Sequence, residues 1–586
     1  MKEISQEVRT VIAISLSMVV ILVWGYFFRP KPPAQLPDKA ASQKPAATSP
    51  ATATSTTPAA GAGGGSVAGG ATAASAAPAA SAPTARAATS AESLVVESKL
   101  YRVELSNQGA SARSWKLAQY KDDIGKDLDL IHPAVAQQSG KWPLMLALDD
   151  AEETSKANGA LYEMTPASGT LKAPAEVSFA WSDGHLAVTK RLKFTADYVT
   201  SIETSVTLDG KPVPHLVAWQ GGFGDITAFA AADQVRVVYS RGGSLTDIEA
   251  KKTGDPDHHE KPVTVAGTSD FAGIMDHYFA AAFLPTGEGG VTLEHWRHDR
   301  EITVEGKQET ESVAEMAAGM GGANPLRLRL FVGPKAVAVL EKNQPPLTSL
   351  VTFGTFGIIA RPLFDFLLWL NRYVSNYGWA IVLMTIIINT VLFPLKWRSF
   401  HQQLKMQRVM PEVKQIQDRY KKYSMRDPRK QDMNKEVMAV YSREGVNPIG
   451  SCLPMVAQMP IWFALYRMLD VAIELRQAPW VLWVRDLSVR DPYYLLPVLM
   501  CITMYVMQKL TPMTTTDPAQ QRMMNFMPFM MGLFFFKLAS GLVLYILTSN
   551  LIATSQQWFL YKVIPDALPD SAKKKGAADK KAKELR

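Results

Sequence analysis

A cluster of metal-capable side chains, Asp255, Asp257, His258, His259 and Glu260, has the chemistry to hold a divalent cation. It lies in a loop bounded by glycine and proline, and no second ligand set stands at a recognisable spacing. A solvated acidic loop is the simpler reading, and no metal is assigned. The two cysteines, Cys452 and Cys501, both fall in apolar runs and offer neither a disulfide framework nor a cysteine-rich zinc site. No Gly-x-Ser-x-Gly or His-Glu-x-x-His motif occurs, and the glycines between Gly61 and Gly70 belong to low complexity. Covalent catalysis, nucleotide binding and a resident cofactor therefore have no positive signal. The chain is read as a non-enzyme.

The elements around these residues differ sharply in composition along the 586 residues. Val11 to Phe28 is a charge-free apolar run between Arg9 and Arg29. It exceeds the apolar core of a cleaved signal, and Arg-Pro-Lys-Pro-Pro follows it, so residues 1–29 read as a signal-anchor helix. Residues 30–92 are rich in Ala, Pro, Ser, Thr and Gly, too poor in apolar surface to offset ordering, and read as a tether of about 40 Å end to end.

From residue 93 to 349 the pattern has period two. Tyr101, Val103 and Leu105 alternate with Arg102 and Glu104, as do Leu326, Leu328 and Leu330 with Arg327 and Arg329. Gly221-Gly222, Gly242-Gly243 and Gly321-Gly322 mark turns. An antiparallel β-sandwich is expected. Residues 350–375 contain Arg361, Asp365 and Arg372 on one face and read as an interfacial amphipathic helix.

Apolar stretches then recur near residues 377–395, 449–469, 493–508, 526–538 and 542–561, so with the anchor six spans are expected. The segment 396–447 carries 13 Lys/Arg against 6 Asp/Glu, the segment 470–492 carries 3 against 4, and the tail 562–586 carries 8 against 4. Basic loops stay inside, which puts both termini in the cytoplasm and the β-domain outside. Within the basic segment Met406, Val409, Val413, Ile416 and Tyr420 recur at helical spacing, and Met433, Val437 and Val440 continue after a turn. A cytoplasmic helical hairpin is expected over 396–447, with Asp427-Pro428 starting its second arm, Gly445 ending it, and Pro411 kinking the first.

Asn447-Pro448-Ile449-Gly450, Cys452-Leu453-Pro454, Gln458-Met459-Pro460-Ile461, Glu474-Leu475-Arg476-Gln477-Ala478-Pro479 and Ser540-Gly541-Leu542-Val543-Leu544-Tyr545 resemble the YidC membrane-protein insertases. The resemblance covers roughly residues 350–561 in order. It implies a polytopic α-helical membrane protein with six transmembrane helices, a periplasmic β-sandwich and, over 376–561, a five-helix core. That core would enclose a hydrophilic groove open to the cytoplasm and to lipid. The groove would receive the polar segment of a nascent membrane protein while its apolar segment moves into lipid, lowering the cost of carrying charge toward mid-bilayer.

The resemblance singles out Thr385, Gln458 and Tyr545 as groove residues, with Met459 and Trp462 on the client-facing side. Many members have an arginine four residues after the threonine, where this chain has Asn389. A neutral amide hydrogen-bonds but supplies no positive potential. Lys396 and Arg398 at the mouth, and Arg467 or Lys537, are the candidate sources of that charge. Tyr505, Gln508, Ser549, Asn550, Gln556 and Gln557 are further candidate lining residues. A second departure is Tyr545-Ile546, where many members have two tyrosines. The implied partners are nascent membrane proteins and the bilayer of the bacterial inner membrane, together with the secretion translocon and, through the basic hairpin and tail, the ribosome. The competing reading is a secondary transporter or channel with a polar intramembrane pocket. It predicts paired inverted repeats, and none is evident.

Overall fold

The computed structural model describes residues 84–122, 125–225, 235–250, 262–287, 289–304, 307–322, 324–423, 427–445, 453–511, 525–530, 532 and 535–563. The chain divides into compact units 1–80 and 81–586, and the first lies outside the described residues. So do the anchor, most of the tether, the cluster at 255–260, the motif at 447–452 and the tail beyond 563.

Period-two alternation folds as read. Along Leu186–Phe194 every second residue points inward, and Tyr101–Ser106 behaves alike. The strands form a ten-stranded sheet and two five-stranded sheets. Pairing is antiparallel, except that Ser93–Glu97 runs parallel to Gly169–Lys172. One hydrophobic core serves all three sheets. Trp115, from one five-stranded sheet, lies 6.2 Å from Phe194 of the large sheet and 6.2 Å from Trp219 of the other small sheet. The hairpin from Arg236–Arg241 to Ser244–Glu249 turns at Gly242 and Gly243, both at positive φ, the geometry a two-residue turn requires.

Two features of the β-domain depart from the sequence reading. Its edge begins before residue 93, because Arg86 exchanges backbone hydrogen bonds with Ser182 and the Ala88 N–H donates to Leu161 O. Backbone pairing is indifferent to the small side chains that made this stretch read as tether. The inward face of Leu186–Phe194 also includes Lys190, fully buried, whose ammonium donates to Ala110 O and Leu144 O. Burial lowers its pKa to about 7.

Seven helices after the β-domain bear on the site. They are α1 (Gly357–Val374), α2 (Tyr377–Val391), α3 (Phe393–Arg419), α4 (Arg429–Arg443), α5 (Leu453–Val471), α6 (Leu495–Leu510) and α7 (Ser540–Val563). The helix expected at the interface is α1. Phe364, Leu367 and Leu370 face the helical core, while Arg361, Asp365, Arg372, Trp369 and Tyr373 are exposed. The expected hairpin is α3 with α4, sealed by Met406, Val409, Val413, Ile416 and Val440. Asp427 Oδ1 accepts from the Arg429 N–H at its second start, and Gly445 at φ +60° follows its end. Pro411 lies inside α3, which continues past it to Arg419.

Among the described residues no single helix is long and apolar enough to cross a membrane; α2 and α3 meet that test together, bent by 56°, and α6 is a shorter apolar helix. For α2 the physical reason is local. Pro394 stands at the start of α3, where it has no N–H to continue the ladder, and α2 stops at Val391. The 15 residues of α2 span about 22 Å, less than the ~30 Å hydrocarbon core.

The loop after α5 joins the helical core to the β-domain. Arg476 forms an ion pair with Asp225 whose side chains are 4% and 2% exposed. Arg476 also donates to Lys121 O at 2.9 Å, and Gln477 Nε2 donates to the same carbonyl at 2.7 Å. His277 Nε2 reaches Asp470 O at 2.7 Å.

Glu474 is in the same junction, and burial pushes its carboxyl up to about 7. In the unfolded chain a glutamate titrates near ~4.3, so between about pH 4.3 and 7 the folded chain binds a proton that the unfolded chain has released. Stability from this group therefore falls as pH rises through that window. Glu474→Gln should raise the unfolding temperature more at pH 8 than at pH 5, measured on the purified full chain. An equal shift at both values would show that Glu474 is not held protonated.

Candidate functional site

The C-terminal half of α2 brings two buried polar residues to one side of a largely apolar helix. Thr385 Oγ1 donates back to Ile381 O at 2.7 Å, and Asn389 Nδ2 donates to Thr385 O at 2.8 Å. Asn389 is buried, and its Oδ1 remains to be satisfied. The acceptor is filled by Lys396, whose Nζ donates to it at 2.7 Å. Asn389 and Lys396 stand on either side of the 56° bend between α2 and α3, and this hydrogen bond spans it. The ammonium also stands near the C-terminal end of α2, where the helix dipole favours a cation.

Opposite this pair, α7 contributes Ser549, Asn550, Ala553, Gln556, Gln557 and Leu560. Their spacing of 1, 3, 3, 1 and 3 places them along one face of the helix. Gln556 Nε2 donates to Asn389 O at 3.2 Å, and Asn389 Nδ2 comes within 3.5 Å of Ser549 Oγ. Gln557 Nε2 and Tyr561 Oη both donate to Leu510 O, at 3.0 and 2.6 Å, which ties α7 to the end of α6.

These groups enclose a cavity of about 290 Å³, completed by Gln458 of α5, by Ser399, Phe400 and Gln403 of α3, and by Met507 and Thr511 at the end of α6. One water needs only ~10–15 Å³. Asn550 Nδ2 and Gln556 Oε1 are buried with no partner among the described residues. Among the described residues the cavity thus offers one cation, several amides and hydroxyls, and unused hydrogen-bonding capacity. That set has the donors and acceptors to hydrogen-bond a polar or anionic segment.

Of the residues picked from sequence, Lys396, Gln458, Ser549, Asn550, Gln556 and Gln557 line the cavity, and Asn389 holds Lys396 in place. Thr385 is fully buried behind Asn389, its hydroxyl committed to its own helix. Tyr545 is packed in the helical core with Met384, Leu544 and Leu547. Trp462 meets Phe463 edge-on and stacks on Tyr466, and Met459 is exposed; neither is a lining residue. Tyr505 packs on Phe529 under Lys509. Arg398 is exposed, and it and Gln508 lie off the cavity.

Arg467 is placed at the other end of α5, paired with Asp470 at 2.8 Å and donating to Thr352 O, so it brings no charge to this cavity. Sequence reasoning missed Ser399, Gln403 and Thr511. The stripe Asn389, Lys396, Ser399 and Gln403, spaced 7, 3 and 4, was the signal that could have found the first two.

The model of the YidC periplasmic domain matches residues 93–366, and that of the 60Kd inner membrane protein family matches residues 369–567. The membrane protein insertase YidC of Wolinella succinogenes is 32% identical over 83% of this chain and 83% of its own length. The chain belongs to the YidC family.

The YidC of Campylobacter jejuni is 30% identical over 80% of this chain and 83% of its own. A crystal structure described as an active YidC insertase with its first transmembrane domain resolved covers 80% of this chain and 93% of that one, at 17% identity and TM-score 0.33. YidC proteins are inner-membrane insertases with a periplasmic domain, and the family is not an enzyme family. In this YidC chain the cation of the cavity belongs to Lys396, seven residues beyond Asn389.

Proposed function

We propose that the chain inserts nascent membrane proteins into the bacterial inner membrane, and that the cavity among α2, α3, α5, α6 and α7 is the groove that shelters the client's polar segment. The observation that carries this reading is the Lys396 ammonium held by Asn389 at 2.7 Å in a cavity whose walls also carry the amides and hydroxyls of Gln458, Ser549, Asn550 and Gln556. The cation attracts an acidic translocated segment. Gln458, Asn550 and Gln556 replace part of its hydration. The route across hydrocarbon is shortened because α2 ends at Val391, and a shorter path lowers the cost of moving charge. Once the client's apolar segment leaves sideways into lipid, its polar flank is released on the far side.

In this arrangement six helices span the membrane, with both termini and the α3–α4 hairpin in the cytoplasm and the β-domain in the periplasm. The charge asymmetry of the loops supports this topology. The hairpin, with Lys422 and Arg429 over the Tyr423 ring and Lys421 and Lys430 next to them in sequence, suits an anionic partner such as ribosomal RNA. The junction loop and β-domain face the side where a secretion translocon would dock.

Photoreactive residues at Gln458 and Asn550 should crosslink to a single-span nascent chain stalled during insertion. One at Arg467 should not. Equal yields from all three positions, or none from Gln458 and Asn550, would remove the cavity from the insertion route.

A further inference from the structure

Leu482 is 85% exposed and is held at φ +53°, a conformation that residues with a β-carbon rarely adopt. The loop that carries it is not loose. The Trp480 N–H donates to Val484 O at 2.9 Å and the Leu487 N–H to Ala478 O at 3.1 Å, closing the turn on itself. Asn376, the N-cap of α2, donates from Nδ2 to Pro479 O and Trp480 O at 3.1 and 3.3 Å. The Trp480 ring covers Gly378 so closely that a β-carbon there would overlap it, and it meets Trp379 edge-on at 5.6 Å. Trp483 donates from Nε1 to Asp491 at 3.0 Å, and Val484 is buried. Every large side chain of the loop except Leu482 is thus engaged or partly covered.

The surroundings identify what meets Leu482. From Ala478 to Val484 the loop carries no charge, and exposed Arg485 follows at once. Trp369, Tyr373 and Trp379, at the adjoining ends of α1 and α2, are also exposed, the aromatic composition of a membrane–water boundary. An arginine beside an apolar tip suits phosphate headgroups above acyl chains.

We propose that the Trp480–Val484 turn is a membrane anchor that sets Leu482 into the outer leaflet, with Arg485 at the headgroups. It fixes the outer end of α2, and hence the depth at which Asn389 and Lys396 lie. This rests on the reading that α2 and α6 span the bilayer, so the test carries its own control. An environment-sensitive fluorescent amino acid is placed at Leu482 in one variant and at Ile502, exposed midway along α6, in another. Each full chain is reconstituted into phosphatidylcholine–phosphatidylglycerol vesicles.

The expected result at position 482 is blue-shifted emission, quenched by a lipid quencher near the headgroups and protected from aqueous iodide, with position 502 quenched near the bilayer centre. Free iodide quenching at 482 with lipid quenching retained at 502 would overturn the anchor and leave the spanning helices standing. Loss of lipid quenching at both positions would overturn the spanning reading as well. Protection of 482 from both quenchers would mean that protein covers it, a second copy of the chain included, and would equally overturn the proposal.

Discussion

Arg476→Met is expected to destabilise the full chain by about 3–5 kcal/mol, because it leaves Asp225 buried without its cation. The loss is more than one ion pair. The guanidinium also donates to Lys121 O and lies 5.5 and 5.4 Å from the Tyr278 and Phe279 ring centres. Replacing both partners, Arg476→Met with Asp225→Leu, removes the stranded charge and should recover a large part of the loss, since an apolar pair of similar volume carries no desolvation cost. Thermal unfolding and limited proteolysis of the purified chain distinguish the cases. The single variant should expose cleavage sites between the β-domain and α1 that the double variant protects. A double variant with the summed loss of the two single ones would mean that the pair is not coupled.

Lys396→Gln should lower insertion of a client with an acidic translocated segment about tenfold, ~1.4 kcal/mol, while a matched neutral client changes little. Two charges 4 Å apart attract by about 4 kcal/mol at a near-surface dielectric, and a wet, open cavity screens part of that. Lys396→Arg keeps the charge and should retain most of the activity. Asn389→Leu removes the acceptor for Lys396 and the bond to Thr385 O, so the acidic client should suffer here too although the ammonium survives. Asn389→Arg in the presence of Lys396 places two cations where one was held, and should reduce abundance of the folded chain. Equal effects on acidic and neutral clients in all four variants would mean that Lys396 acts through structure and not through charge.

The parts of this fold that were legible are those set by neighbours in sequence. Alternation along Leu186–Phe194 identified a strand, and the spacing of Met406, Val409, Val413 and Ile416 identified the buried face of the hairpin. The same rule hid Lys190, which occupies an inward position that only the carbonyls of Ala110 and Leu144, far along the chain, make tolerable. Arg476 stood out as part of a family motif, but its partner Asp225 is 251 residues away and no local pattern links them.

In the helices, apolar composition located the runs but not where they break. The 56° bend follows from Pro394 and divides what read as one span into α2 and the start of α3. Arg467 read as a source of groove charge because composition does not tell which end of α5 meets the cavity; Asp470, three residues on, was the local sign that it was already paired. Tyr545 came from resemblance alone; it shares a helix face with Ser549 but lies one turn earlier, buried in the core and off the cavity that Ser549 and Asn550 line.

The central claim is that the cavity works through a positive charge whose exact attachment matters less than its presence beside α7. The double variant Asn389→Arg with Lys396→Gln moves that charge from α3 to α2 and leaves the net charge unchanged. Insertion of the acidic client, normalised to folded protein, is the measurement. Recovery to within about twofold of the unmodified chain, from the tenfold deficit of Lys396→Gln alone, is the predicted result. A double variant no better than Lys396→Gln would contradict the account.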